Sequence, residues 1–300
     1  MNRIALLISI LTLTVATARA QEFATVNPDV RTAGMADASV AVSGGTFSIY
    51  DNAAAALFDY KRIQVGFAYS PWKSGGSAAN YYAVGGYYSI NEKHTLEAGM
   101  RICNLPNAGG SKPMEASADV AYALLLHDCA GVAVTAHYIH GSYGNNVNYN
   151  ALGFDIAAYA QIPLDRMLDG AWVAAGAKIA DVGFAFGGRE NRLPSRASAG
   201  AALFAPIGDS HSLLGSVELG YRFAPAGYDS FGMGIGAEYT LMQLLSFRAG
   251  YHVADKRGFD YGTVGAGVSF MMLKFDFSYL FAAERSPLRN IYSIGVGISF

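Results

Sequence analysis

The 300-residue sequence predicts an all-β fold, a transmembrane antiparallel up-and-down β-barrel of about 14 strands with an N-terminal plug segment. Three observations carry this reading. Apolar and polar residues alternate with period two over long segments, connections alternate short and long along the chain, and the last strand keeps its alternation to the terminal Phe300.

The chain opens with MNRIALLISILTLTVATARAQ: a basic start at Arg3, an apolar run from Ile4 to about Ala16, and Ala18-Arg19-Ala20 as a small-residue cleavage site. These are the parts of a secretory signal peptide over residues 1–20, with Gln21 beginning the mature chain. The apolar run is too short to span a bilayer. Gln rather than Cys follows the site, which argues against a lipid anchor, and export across an inner membrane is implied.

Residues 21–58 are expected to form a plug. The stretch NPDVRTAGMADASVAVSGGTFSIYDNAAAALFDY is apolar yet too irregular for a spanning strand, and its Ala-rich part from Asn52 to Phe58 suits a short helix. Such a segment is expected to enter the lumen from the periplasmic side.

Residues 59–300 carry the barrel. In LEAGMRI, Leu96, Ala98, Met100 and Ile102 alternate with Glu97, Gly99 and Arg101; in VELGYRF, LSFRAGYHV and KFDFSYLF the same alternation holds, with Glu218, Arg222, Arg248 and Asp276 on the polar face. A soluble β-sandwich shows the same pattern with strands of about five or six residues, whereas an outer-membrane barrel needs about nine to eleven. Length decides. Segments bounded by turn residues fall at 61–70, 79–90, 93–104, 116–127, 129–140, 149–162, 170–182, 196–205, 211–223, 228–240, 243–253, 259–270, 271–282 and 289–300.

Joins after even strands are short, as in INEK, LLHDC, TLMQ and FMML; those after odd strands are longer and polar, as in NLPNAGGSKPME, GSYGNNVNYN and GFAFGGRENRLPSR. Short periplasmic turns and long outer loops are the asymmetry of outer-membrane barrels. PLDRMLDG and APIGDSH are the two longer turns on the periplasmic side. In a closed barrel the last strand pairs with the first, so the chain end cannot fray into lipid. A C-terminal Phe300 on an alternating strand resembles the signal read by outer-membrane insertion machinery.

Only 15% of residues are charged, the net charge is -2, and Lys and Arg are scattered, so nothing suggests nucleic acid as a partner. The inward charges Glu97, Arg101, Asp155, Lys178, Glu218, Arg222, Glu238, Arg248 and Asp276 are mixed in sign and are expected to form a network holding plug and wall together. Inward Gly234, Gly236, Gly265, Gly267, Gly295 and Gly297 fit either room for something inside or strand bending.

The N-terminal segment resembles the PorV/PorQ family of outer-membrane proteins. The matching residues are Asn27-Pro28-Asp29, Arg31, Ala33-Gly34-Met35-Ala36, Ala38, Val40-Ala41 and Tyr50-Asp51-Asn52-Ala53-Ala54, with Ala53 where the family pattern has Pro. The C-terminal strands are similar as well. The resemblance implies a fourteen-stranded barrel similar to the long-chain fatty acid transporter fold. It also implies that the plug, with Asn27, Pro28, Arg31, Gly34 and Asn52, lodges in the lumen.

No G-x-S-x-G, G-x-G-x-x-G or H-E-x-x-H motif occurs, and neither enzyme activity, cofactor nor metal is expected. His137 and His140 stand three apart, which on a strand puts them on opposite faces. Ser210 beside His211 reads as a solvated turn. Cys103 and Cys129 fall at opposite membrane faces and are expected to be unpaired.

Two functions follow. The resemblance implies a non-enzymatic component of type IX protein secretion or surface assembly, with outer-membrane lipid around it and secreted proteins or secretion-system subunits as partners; the alternative is a plugged-barrel transporter of small apolar molecules. Docking would use outer loops at residues 104–115, 140–150 and 183–196, where Arg189, Arg192 and Arg196 concentrate.

Overall fold

The computed structural model describes residues 27–74, 77–104, 112–143, 148–186, 193–255, 258–283, 286 and 289–300. Three short helical pieces come first: α1 (Val30–Ala33), α2 (Ser48–Asp51) and a 3-10 turn, η1 (Ala53–Phe58). The strands are β1 (Ile63–Ser74), β2 (Ser77–Asn91), β3 (His94–Asn104), β4 (Met114–His127), β5 (Ala130–Ser142), β6 (Asn148–Pro163) and β7 (Trp172–Phe186). They continue with β8 (Arg196–Ile207), β9 (His211–Arg222), β10 (Ser230–Leu241), β11 (Leu245–Ala254), β12 (Tyr261–Phe270), β13 (Leu273–Ala282) and β14 (Ile291–Ser299).

Each strand pairs antiparallel with its chain neighbours, and β14 returns to β1, so the fourteen strands close a barrel with no free edge. The closing seam explains the alternation at the C-terminus. Gln64 pairs with Ser299 and Tyr69 with Ile294, and the Phe300 N–H donates to the Ile63 carbonyl at 2.8 Å. The final residue is thus tied to the start of β1.

The wall is inside out relative to a soluble sandwich. Val65, Phe67, Val84, Met100, Val134, Ile235, Phe247, Phe277 and Ile294 are exposed, while the alternate positions Ala68, Ala83, Ala133, Ala157, Ala174 and Ala202 are buried. An apolar outer belt on a closed barrel is the surface a bilayer requires.

Several boundaries differ from expectation. The hairpin of β1 and β2 runs on to the Ser74↔Ser77 pair, where Pro71 and the following glycines had suggested a loop. Pairing between β1 and β14 ends at Tyr69, so Pro71 lies where β1 has one partner strand, and its missing N–H removes no second ladder bond. The outer loops are also shorter: β4 begins at Met114, β5 ends at Ser142 and β7 ends at Phe186, while β8 begins at Arg196 as expected. On the opposite side β8 continues to Ile207, so the expected long turn APIGDSH reduces to residues 208–210.

The core lies within the barrel. Residues 27–58 pack into the lumen, where Met35, Val40, Ile49, Asn52 and Ala54 are at most 1% exposed. Their entry depends on residues without side chains in the wall. A Cβ at Gly236 would stand 2.6 Å from the Met35 Cβ, and one at Gly176 would overlap the Val40 carbonyl. The inward glycines therefore make room for the segment.

Candidate functional site

Sequence-local chemistry shapes the segment before the wall holds it. The Asp29 Oδ1 accepts the N–H groups of Arg31 at 2.8 Å and Thr32 at 3.4 Å, which caps α1. Asn27 donates to Thr32 Oγ1 at 2.9 Å and Asp37 Oδ1 at 3.0 Å and accepts the Asp29 N–H at 2.8 Å. Asn52, fully buried, accepts the Ala54 N–H and donates to the carbonyls of Val40 at 2.8 Å and Ala158 at 3.0 Å. Gly34 sits where a Cβ would come within 3.3 Å of the Gly265 Cα, and Pro28 faces the cavity described below.

Two charged clusters face this segment. The first joins β10, β11 and β13. Arg31 forks onto Glu238, with Nη2 to Oε1 at 2.7 Å and Nε to Oε2 at 3.0 Å, and its Nη1 donates to the Ser43 carbonyl at 2.8 Å. Arg248, directly opposite Glu238 in register, reaches Glu238 Oε2 at 2.5 Å and Asp276 Oδ1 at 2.6 Å. Gly265 and Gly267 of β12 leave the gap across which Arg248 reaches β13. Lys274 stands 3.8 Å from Asp276.

The second cluster joins β3 to β7. Asp119 accepts from Arg101 at 3.2 Å, Ser117 at 2.8 Å and the Tyr50 hydroxyl at 2.8 Å, and its Oδ1 lies 2.6 Å from His137 Nδ1. On the other side of the imidazole, Nε2 lies 3.0 Å from Asp155 Oδ1. Lys178 Nζ donates to Asp155 Oδ2 at 2.9 Å and to the Tyr50 carbonyl at 2.7 Å. The Asp181 N–H donates to Asp155 Oδ1 at 2.8 Å. The Arg101 guanidinium also lies over the Tyr50 ring, 4.6 Å from its centroid.

Two further acidic residues fasten the segment. Glu218 Oε2 accepts the Ser39 N–H at 2.9 Å and the Val40 N–H at 2.8 Å, and Glu97 Oε2 accepts the Ser48 hydroxyl at 2.6 Å. Asp51, on the segment itself, accepts the Thr32 hydroxyl at 3.0 Å. Burial, with the neighbouring Asp29 charge adding to it, lifts its carboxyl well above the usual carboxylate range.

Beyond the segment a cavity of about 500 Å³ remains, lined by Asp51, Arg101, His137, Asp155, Lys178 and Asp181 on one side and by Arg196, Glu218, Arg222, His252 and Tyr261 on the other. Between these charges the lining is apolar as well as hydroxyl-bearing, with Pro28, Ala33, Phe259, Leu280 and Ile291 beside Ser39, Ser70 and Tyr228.

All the inward charges expected from alternation do face the lumen. Arg196 is a correction. It was expected at the end of a docking loop, where the 196–205 strand was expected to begin; it is the first residue of β8, pairs in register with Arg222 and lines the cavity, so its side chain belongs to the lumen face of the strand. Arg189 and Arg192 lie outside the described residues. His137 faces the lumen, and His140, on the other face as expected, meets Asn150 at 2.8 Å. Neither Cys103 nor Cys129 is in a disulfide.

Alternation missed Asp119, Glu115 and Asp181. Asp119 and Glu115 sit on the inward face of β4, with Glu115 held by the hydroxyls of Tyr143 and Tyr149. Parity alone could have found them. Asp181 could not be found that way, because Ala180 and Asp181 both turn inward at an irregularity where Asp181 takes a left-handed φ of 57°.

No curated protein matches the sequence. The fold is similar to that of the CymD monoaromatic hydrocarbon channel, with a TM-score of 0.61 and 12% identity over 92% of this chain and 98% of that one. It is also similar to the P. putida toluene transporter TodX (TM-score 0.60, 10% identity, 92% and 98% covered). A Pseudomonas aeruginosa FadL homologue gives a TM-score of 0.58 at 13% identity, with 91% and 98% covered. These likenesses show a FadL-like barrel. Residues 12–227 match the model of the type IX secretion system protein PorV. With that match over most of its length and a FadL-like barrel around a filled lumen, the chain belongs to the PorV family of outer-membrane β-barrels of Gram-negative bacteria.

Proposed function

We propose that this barrel is a non-enzymatic component of protein secretion or surface assembly, exported by a signal peptide over residues 1–20 and plugged by residues 21–58. Its partners are secreted proteins or secretion-system subunits, and Phe300 serves its insertion. The observation that carries this reading is the state of the lumen. Arg31, Glu218 and Lys178 tie the N-terminal segment to the wall, and the remaining space is lined by charges. Burying an apolar solute beside charged side chains gains little, whereas such side chains suit polar peptide groups.

The likeness to hydrocarbon channels favours a second reading, transport of small apolar molecules past the plug. One experiment separates them. The tagged barrel is recovered from its native membrane with and without residues 187–194, and uptake of an apolar solute is measured in parallel. Docking through Arg189 and Arg192 expects a surface or secreted protein to co-purify and to be lost on deletion, with heat-resistant barrel migration unchanged. Unchanged partners, together with uptake that falls when Gly234 is replaced by a bulky residue, would move the assignment to transport.

A further inference from the structure

The second cluster contains an imidazole whose surroundings are those of a metal ligand. His137 is 2% exposed, and its Nδ1 is set by Asp119 Oδ1 at 2.6 Å. An Nδ1–H donating to that carboxylate leaves Nε2 with a lone pair. This Nε2 lies 3.0 Å from Asp155 Oδ1 without a hydrogen bond of good geometry, so in that tautomer two acceptors would face one another in a buried place. Something positive belongs between them. Asp181 adds a third donor: a ring nitrogen of His137 and one carboxylate oxygen each from Asp155 and Asp181 lie within 4.8 Å of one another.

We propose that His137, Asp155 and Asp181 form a divalent-cation site suited to zinc. One nitrogen and two carboxylate oxygens are a common zinc donor set. The Asp119 carboxylate behind the imidazole is the orienting partner that metal-bound histidines carry. The three residues line the polar cavity, which gives an ion an entry path and leaves a coordination position for water.

Lys178 does not block the site, because it engages Asp155 Oδ2 and leaves Oδ1 turned toward His137 and the Asp181 backbone. The left-handed backbone at Asp181 gains a purpose, since strict alternation would point its carboxylate to lipid. An ion held here would cross-link β5, β6 and β7 beside Asp119, on which Tyr50 of the N-terminal segment rests. The competing occupant is a proton, which would make His137 an imidazolium between two aspartates.

The test uses the mature barrel in detergent, stripped with a chelator and titrated with zinc by calorimetry and with cobalt by visible absorption. Expected are one zinc per barrel and a cobalt spectrum of low coordination number, with Zn–N and Zn–O distances of about 2.0–2.2 Å by X-ray absorption. Asp119→Asn, a positioning change, should weaken zinc roughly 10–100-fold. His137→Gln and Asp181→Asn should weaken it more, while Asp276→Asn in the other cluster should leave it unchanged. A wild-type barrel that takes up no stoichiometric zinc or cobalt overturns the proposal in favour of the proton. Binding that is indifferent to His137→Gln in a barrel keeping its heat-resistant migration overturns it equally.

Discussion

The two lumen clusters are built from the same residue types and differ in what closes them. On β10, β11 and β13 the N-terminal segment supplies a charge: Arg31 takes both oxygens of Glu238, and Arg248 bridges Glu238 to Asp276. On β3 to β7 every charge comes from the wall, and the segment contributes the Tyr50 hydroxyl, ring and carbonyl. The first cluster is a clasp, complete only with the segment in place. The second is complete without it and opens to the cavity. Charge in a lumen can therefore hold a segment or line a cavity, and the source of each partner tells which.

The sharpest way to break this comparison is to remove Arg31. Deleting one member of a buried, doubly bonded ion pair leaves Glu238 and Arg248 unbalanced and costs about 3–5 kcal/mol. In Arg31→Ala the loss should fall on seating of the segment rather than on the barrel. A cysteine at Val40, in a background lacking Cys103 and Cys129, should react slowly with a water-borne reagent in the parent and roughly 100-fold faster or more in Arg31→Ala. Heat-resistant migration should persist. Fast labelling of the parent in intact membranes would show that the segment is not seated, and equal rates would show that Arg31 is no clasp.

How much of this contrast the sequence disclosed depends on parity and register. Parity was legible, because lipid outside and a packed polar interior force large apolar residues such as Phe277 and Ile294 to one face and Asp276 or Gly295 to the other. All fourteen strands and nine of the inward charges followed, Glu97 and Asp276 among them. Register was not legible. Nothing local states that Asp119 faces His137, or that Glu238 faces Arg248. Partners therefore stayed unassigned, and His137 was read only against His140. Asp181 was hidden for a different reason: an irregularity reverses parity, so the rule that found the other lumen charges points away from it. Arg196 was assigned to docking because it stands at the junction of loop and strand, where parity with Ser198 already sets its side chain on the lumen face.

The next effect in size concerns the wall around both clusters. Phe277→Arg and Ile294→Arg place a charge on exposed, lipid-facing positions and should destabilise the barrel by about 2–4 kcal/mol near the bilayer midplane. Gly297→Arg points inward, where a Cβ would already stand 3.3 Å from Thr46 Oγ1, and should displace the segment while sparing the wall. Unfolding of each variant in lipid vesicles, followed by gel migration, with labelling at Val40→Cys as the second readout, separates the two outcomes. A common response at Ile294 and Gly297 would contradict the assigned faces.

The smallest effect expected is a pH dependence at Asp51, which lines the cavity from the segment side. Its carboxyl is raised in the folded state, chiefly by burial, so the folded chain binds its proton more tightly than the unfolded chain does. Stability must then fall as pH rises out of the ordinary carboxylate range near pH 4 toward the raised value, and below that range the group contributes no slope. Asp51→Asn cannot ionise and keeps an oxygen for the Thr32 hydroxyl. Melting of the two proteins should coincide at low pH, and the variant should gain on the parent as pH rises. The Val40→Cys labelling rate should follow the same course, because Asp51 belongs to the segment and not to the wall. A constant gap across the range would mean that Asp51 keeps the same charge throughout, and its link to segment seating would fail.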